Sequence, residues 1–179
     1  MEPQLSVPCP SCSKPAFLLQ VSENVEQFGE VLLSTLSCPH CGLKLNDVWN
    51  TAFNEPVYFE AKVRSASDLK VKIVRSTSGT VEIPELGTTI EPGPLADGYI
   101  SNMEGLLDRV RSVLATVPGK KSDQLKSKID SMKEGKIPFT VIVKDPFGNS
   151  ALIGNKVEKK KLSAKDAAKL KHFVFLAGH

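Results

Sequence analysis

Four cysteines are the residues of this chain best equipped for chemistry, and they fall in two turns, Cys9-Pro10-Ser11-Cys12 and Cys38-Pro39-His40-Cys41-Gly42, 25 residues apart. They are the only cysteines among 179 residues. Two C-x-x-C turns can aim four thiolates at one tetrahedral ion, the arrangement of a closed structural zinc site. Proline shapes each turn, and Gly42 tolerates the positive φ that ends it.

Such a site leaves no open coordination position, so catalysis at the metal is not expected. Thioredoxin-like exchange needs one C-x-x-C at the start of a helix, whereas both pairs here sit in Pro-containing turns. A single iron uses similar turns, but Ser13 stands where a rubredoxin-like site would carry glycine, which favours zinc. The expected metal ligands are therefore Cys9, Cys12, Cys38 and Cys41, with one structural zinc as the cofactor and no catalytic residue.

Other enzyme classes find little support. A β-barrel iron site takes two histidines and a carboxylate, yet the histidines are only His40, inside the metal turn, and His172 and His179, at the end. The run Pro118-Gly119-Lys120-Lys121-Ser122 echoes the tail of a phosphate-binding loop, but Leu114 occupies the place of its first glycine and the run joins two helical patterns.

The elements that must hold the cysteines are short. Ala16 to Val21 and Val31 to Leu36 read as strands beside the turns, with a polar loop from Ser22 to Glu30 between them. This is a zinc ribbon. About 50 residues bury too little surface to fold securely alone, so the metal supplies much of the stability. The division expected is a ribbon over residues 1–50 and a β-rich domain over 51–179, with Trp49 and Phe53 packed between them.

Beyond the boundary, Val57 to Arg64 alternates cleanly, and Leu69, Val71 and Ile73 repeat the pattern. Further strands are expected at Thr80 to Ile83 and Thr88 to Glu91, between Pro and Gly punctuation. The period then changes to 3.6. Ser101 to Glu104 has the form of a capping box, and Leu106, Leu107, Val110, Val113, Leu114 and Val117 form one stripe ended by Pro118-Gly119. Ser122 opens a second helix with Leu125, Ile129 and Met132, which predicts a helical hairpin over about residues 101–135. Its stripes should pack on each other and on the sheet.

Phe139 to Val143 is apolar enough for a central strand, Asp145-Pro146-Phe147-Gly148 has type I turn preferences, and Asn149 to Ile153 is expected to return as a strand. The loops at Pro84-Glu85, Pro92-Gly93-Pro94 and Asp145 to Asn149 are candidate contact points. From Lys156 to Lys171 there are seven lysines against Glu158 and Asp166, with Ser163 placed to cap a short helix and Phe173 to Leu176 a candidate terminal strand.

Composition is that of a chain with a real core, 41% hydrophobic and 24% charged, and the net charge of +3 is too mild to indicate nucleic acid by itself. The first residues show neither a basic flank nor an apolar run, and no stretch approaches the ~18 apolar residues of a membrane span. A cytoplasmic protein in a reducing compartment is expected.

Taken in order, the finger with its C-P-H-C-G second turn, Thr80-Val81-Glu82-Ile83-Pro84-Glu85-Leu86, Ile90-Glu91-Pro92-Gly93, Met103-Glu104-Gly105-Leu106-Leu107 and Asp145-Pro146-Phe147-Gly148-Asn149-Ser150 resemble the ZPR-type zinc-finger proteins. The resemblance runs from Cys9 to about Ile153. With one cysteine quartet and no internal repeat, the chain is similar to the single-copy archaeal members rather than the two-copy eukaryotic ones. The resemblance implies a zinc ribbon followed by a domain like a double-stranded β-helix with an inserted helical hairpin. It also implies a partner, because eukaryotic relatives bind translation elongation factor 1-alpha and assist its folding. Nucleic-acid binding through the ribbon and the lysine-rich end is the alternative, weakened by the Asp123, Asp130 and Glu134 interleaved among the hairpin lysines.

Overall fold

The computed structural model describes residues 4–25, 29–50, 55–93 and 96–170. The N-terminal part is a four-stranded antiparallel meander of β1 (Gln4–Pro8), β2 (Pro15–Val25), β3 (Gly29–Ser37) and β4 (Lys44–Asn50). The apolar runs beside the cysteine turns are its two central strands, as expected. The strands reach Val25 and Gly29, so the loop is shorter than the polar composition of Ser22 to Glu30 suggested. Those polar residues alternate on a two-sided ribbon and need no burial to extend the ladder. The outer strands β1 and β4 were not expected, because their residues carry little apolar alternation of their own.

The larger part has two sheets. One, in the order β12-β5-β10-β7-β8, contains β5 (Val57–Val63), β7 (Thr80–Ile83), β8 (Thr88–Ile90), β10 (Phe139–Asp145) and β12 (Val157–Lys161). The other, β11-β6-β9, contains β6 (Lys72–Arg75), β9 (Tyr99–Asn102) and β11 (Ala151–Ile153). Phe59, Val81, Val141 and Val143 from the first sheet and Ile73, Val74 and Leu152 from the second are buried in one hydrophobic core. β10 occupies the middle of its sheet, as its sequence predicted.

Two expectations need correction. Leu69, Val71 and Ile73 are not one strand, since Ala66–Lys70 forms a one-turn 3-10 helix and β6 begins at Lys72. The physical cause is Asp68, whose carboxylate accepts bonds from the Arg64 and Ser65 amides and the Ser65 hydroxyl, curling the backbone. The second concerns the strand after the Asp145 turn, which is shorter than Asn149 to Ile153. β11 crosses to the other sheet and pairs with β6.

The hairpin comprises α1 (Met103–Ala115) and α2 (Lys120–Lys133). Asn102, the last residue of β9, caps α1 in place of Ser101, its side chain accepting from the Gly105 amide at 2.8 Å. Likewise α2 begins at Lys120, and Ser122 is turned inward to donate to the Leu114 carbonyl at 2.6 Å. Met103, Leu106, Leu107 and Val110 of α1 and Ile129 and Met132 of α2 join the main core. A short helix, α3 (Ala164–Ala167), follows β12, and Ser163 caps it as anticipated. Phe53, Pro94 and the run Phe173 to Leu176 lie outside the described residues.

Candidate metal centre

The two cysteine turns have the same construction. In the first, the Cys9 amide donates to the Lys14 carbonyl and the Ser13 amide to the Cys9 carbonyl, both at 2.8 Å. In the second, Cys38 and Leu43 are joined at 2.8 Å, and Gly42 and Cys38 at 3.0 Å. Each knuckle closes on a left-handed residue, Ser13 at φ 58° and Gly42 at φ 73°. Glycine adopts that conformation without strain, whereas serine does so at a cost. Ser13 thus fills the glycine place while keeping its geometry.

This doubling brings all four Sγ atoms within 4.8 Å of one another. Cys9 Sγ lies 3.6 Å from Cys41 Sγ, and Cys12 Sγ lies 3.6 Å from Cys38 Sγ. A disulfide requires about 2.05 Å, so these are not bridges. Zinc–sulfur bonds of about 2.3 Å place tetrahedral thiolates roughly 3.8 Å apart, and the observed spacing fits that donor set. Cys9 and Cys38 are buried against Ala16, with Cys12, Leu36 and Leu43 packed around them, while Cys41 is exposed. His40 lies beside Cys41 in sequence but is not one of the clustered donors.

The thiols are unequal even without a metal. Burial opposes ionisation of Cys38, but the backbone amides of Cys41 and His40 favour its thiolate and bring its pKa down to about 6.

How the centre is mounted was not visible in the sequence. Trp49 does not fill the junction between ribbon and β-rich domain; it remains 39% exposed. Val31 and Val48 on the opposite face of the meander enter the main core instead, with Val25 and Leu33 beside them. Alternation across β3 and β4 dictates this, since Leu33 pairs with Val48 and Leu32 with Trp49. Polar bonds fix the junction. Asp47 of β4 accepts from the Thr77 amide at 2.9 Å and the Thr77 hydroxyl at 2.8 Å. Burial raises the Asp47 pKa, and the Thr77 bonds work against that rise. The Gly98 amide donates to the Asn46 carbonyl at 2.9 Å, and a β-carbon at Gly98 would stand 2.7 Å from the Val48 nitrogen. Only glycine permits that approach.

Thr77 belongs to a corner, Ser76-Thr77-Ser78-Gly79, where the chain passes from β6 to β7 and so between sheets. The neighbouring corner is Asp145 to Ser150, and the two are sewn together. The Asp145 carboxylate accepts from the hydroxyls of Ser76 at 2.7 Å, Ser78 at 2.9 Å and Ser150 at 2.5 Å, and from the Phe147 amide at 2.8 Å. Buried Arg75 donates to the Gly79 carbonyl at 3.0 Å and to the Asp97 carbonyl at 2.8 Å. Of the proposed contact loops, Asp145 and Asn149 are therefore buried structural residues, and Phe147 alone of the three is exposed. One signal could have flagged this network: a serine-rich run ending in glycine between strands.

Family models match both parts of the chain, the ZPR1 zinc-finger domain over residues 3–53 and the ZPR1 jelly-roll domain over residues 67–172. A ZPR1-like protein of Pyrococcus horikoshii is 43% identical over 175 residues, covering 90% of this chain and 78% of its own length. One from Methanocaldococcus jannaschii is 38% identical over 186 residues, covering 98% and 94%. This chain belongs to the ZPR1 family. In this ZPR1-family protein the centre is a structural zinc site, and the two sheets are the jelly roll anticipated as a double-stranded β-helix. The zinc finger chaperone zpr1 of Schizosaccharomyces pombe is 30% identical over 158 residues, which span 80% of this chain and 34% of that relative. The chain thus spans about a third of that relative's length.

Proposed function

We infer that this ZPR1-family chain is a cytoplasmic, non-enzymatic protein-binding module that holds a translational GTPase, elongation factor 1-alpha, and assists its folding. Cys9, Cys12, Cys38 and Cys41 are its zinc ligands, and residues 1–50 and 51–179 are its two parts. The observation that carries the reading is the kinship with a zinc finger chaperone. The ribbon's surface supports it. Leu5, Leu18, Leu36 and Leu45 are successive cross-strand partners and so line one face of the meander. Leu5 is 54% exposed, an apolar offering that a folding client can cover.

Nucleic acid is not the favoured ligand, because most hairpin and β12 lysines are already engaged. Lys126 pairs with Asp123, Lys133 with Asp108, Lys136 with Glu134, Lys160 with Glu158 and Lys161 with Glu55.

The test is refolding of denatured elongation factor 1-alpha from the same organism, with and without equimolar zinc-loaded protein, followed by co-elution in the nucleotide-free, GDP and GTP states. A several-fold gain in active factor and a complex in at least one state are expected. Unchanged yield with no complex in any state would sink the assignment.

A further inference from the structure

A cleft of about 430 Å³ opens between the 3-10 turn Ala66–Lys70 and the connection from β11 to β12. That volume is within the range of small-molecule sites. Its apolar wall comes from Val71 and Ile153, and its rim carries Lys70, Lys72 and Lys156 with Asp68 as the one acid. The Asp68 carboxylate already accepts from the Arg64 and Ser65 amides and the Ser65 hydroxyl. Lys156 approaches it only to 3.7 Å and keeps 77% of its side chain exposed. Lys70 is exposed and has no acidic partner among the described residues.

The turn on this rim is built at a cost. Lys156 stands at φ 67°, in the left-handed region that glycine enters freely and lysine does not. The glycine of the connection lies two residues earlier, at Gly154, where a β-carbon would stand 2.9 Å from Val71 Cγ2. Close packing on the cleft's apolar wall thus requires Gly154, while the conformation suited to glycine is given to a lysine. Reversing the chain into β12 calls for no cation, and asparagine or glycine would serve the turn better. Solubility does not explain the choice either, since Lys159, Lys160 and Lys161 follow at once on β12. A residue kept in a sparsely populated conformation points to a use for its side chain.

An apolar wall beside unbalanced ammonium groups suits a molecule with an apolar body and a multiply charged anionic end. We propose that this cleft binds a small phosphorylated organic molecule, with its phosphate oxygens between Lys70 and Lys156 and its body against Val71 and Ile153. The zinc ligands take no part. β6 leads from the cleft at Lys72 to Arg75 and the corner that meets the ribbon, so the cleft and the ribbon junction lie at opposite ends of that strand. A nucleic-acid strand fits poorly, because no aromatic residue lines the cleft for its bases to stack on.

The probes are inorganic pyrophosphate and adenosine diphosphate, each titrated into the isotope-labelled, zinc-loaded full chain at physiological salt. Amide shifts confined to residues 67–72 and 153–156 are expected, with tighter binding of adenosine diphosphate than of pyrophosphate. Signals from β2 and β3 should stay in place, the sign that zinc is retained. Lys70→Gln with Lys156→Gln should weaken adenosine diphosphate binding about tenfold or more. Lys156→Gly alone should weaken it several-fold yet raise the melting temperature, because glycine relieves the left-handed residue. No shift at the cleft, shifts centred on Lys159 to Lys161, equal affinity for the two probes, full affinity in the double variant, or a Lys156→Gly variant no more stable than the parent would overturn the proposal. So would single-stranded RNA binding the same residues more tightly than adenosine diphosphate, since the ligand would then be a nucleic acid. No elongation factor enters the experiment, so failure here leaves the client assignment standing, and failure of the refolding test leaves the cleft standing.

Discussion

Asp145 is 0% exposed, and four donors meet its carboxylate, so its charge is held by hydrogen bonds from two corners of the jelly roll. Replacing it with alanine strands three serine hydroxyls and an amide, a loss of about 3–5 kcal/mol by analogy with other broken buried charge networks. Asp145→Asn keeps one oxygen and should lose less; urea unfolding of both variants checks the order. The turn itself was legible, since Asp first and Gly fourth predict the Gly148 amide bond to the Asp145 carbonyl seen at 3.3 Å. The residue's burial was not legible. Its partners Ser76 and Ser78 stand far back in the chain, and nothing local to Asp145 announces them. The cysteines are the opposite case, because C-x-x-C spacing specifies knuckle geometry within a few residues and the quartet could be named before any fold was known.

At the scale of elements, periodicity located the strands β5, β7, β8 and β10 and both long helices, but caps and partners escaped it. Ser101 looked like a cap and Asn102 is one, because the β6–β9 ladder runs on through Asn102 and the helix starts only after it. Strand partners are set by distant contacts, so β11 could be recognised as a strand without its sheet being known. The hairpin allows a sharp comparison. Ile129 is fully buried between α1 and the core, and Ile129→Ala should cost about 2–5 kcal/mol. Val113→Ser and Val117→Ser, by contrast, should each change stability by under about 0.5 kcal/mol, since both side chains already face solvent. Thermal melts of the three single variants would expose a misplaced helix register if the order came out otherwise.

For the whole molecule, ribbon and jelly roll draw mainly on different sources of stability yet are joined through Val31, Val48 and Asp47. Zinc binding in small fingers is worth on the order of 10–16 kcal/mol, while the main core is built almost entirely from residues beyond the ribbon. Cys38→Ser should therefore abolish zinc retention and remove hydrogen-exchange protection from β2 and β3, while amides of β5 and β10 stay protected. Simultaneous loss of protection in both parts would show that the jelly roll depends on the metal for its own folding.

The Asp47–Thr77 bonds and the Gly98 contact carry one more implication. β4 and α1 both rest against β9, so the ribbon and the helical arm share a single mount. Their separation is therefore set by β9 and by the polar bonds of the β4 junction.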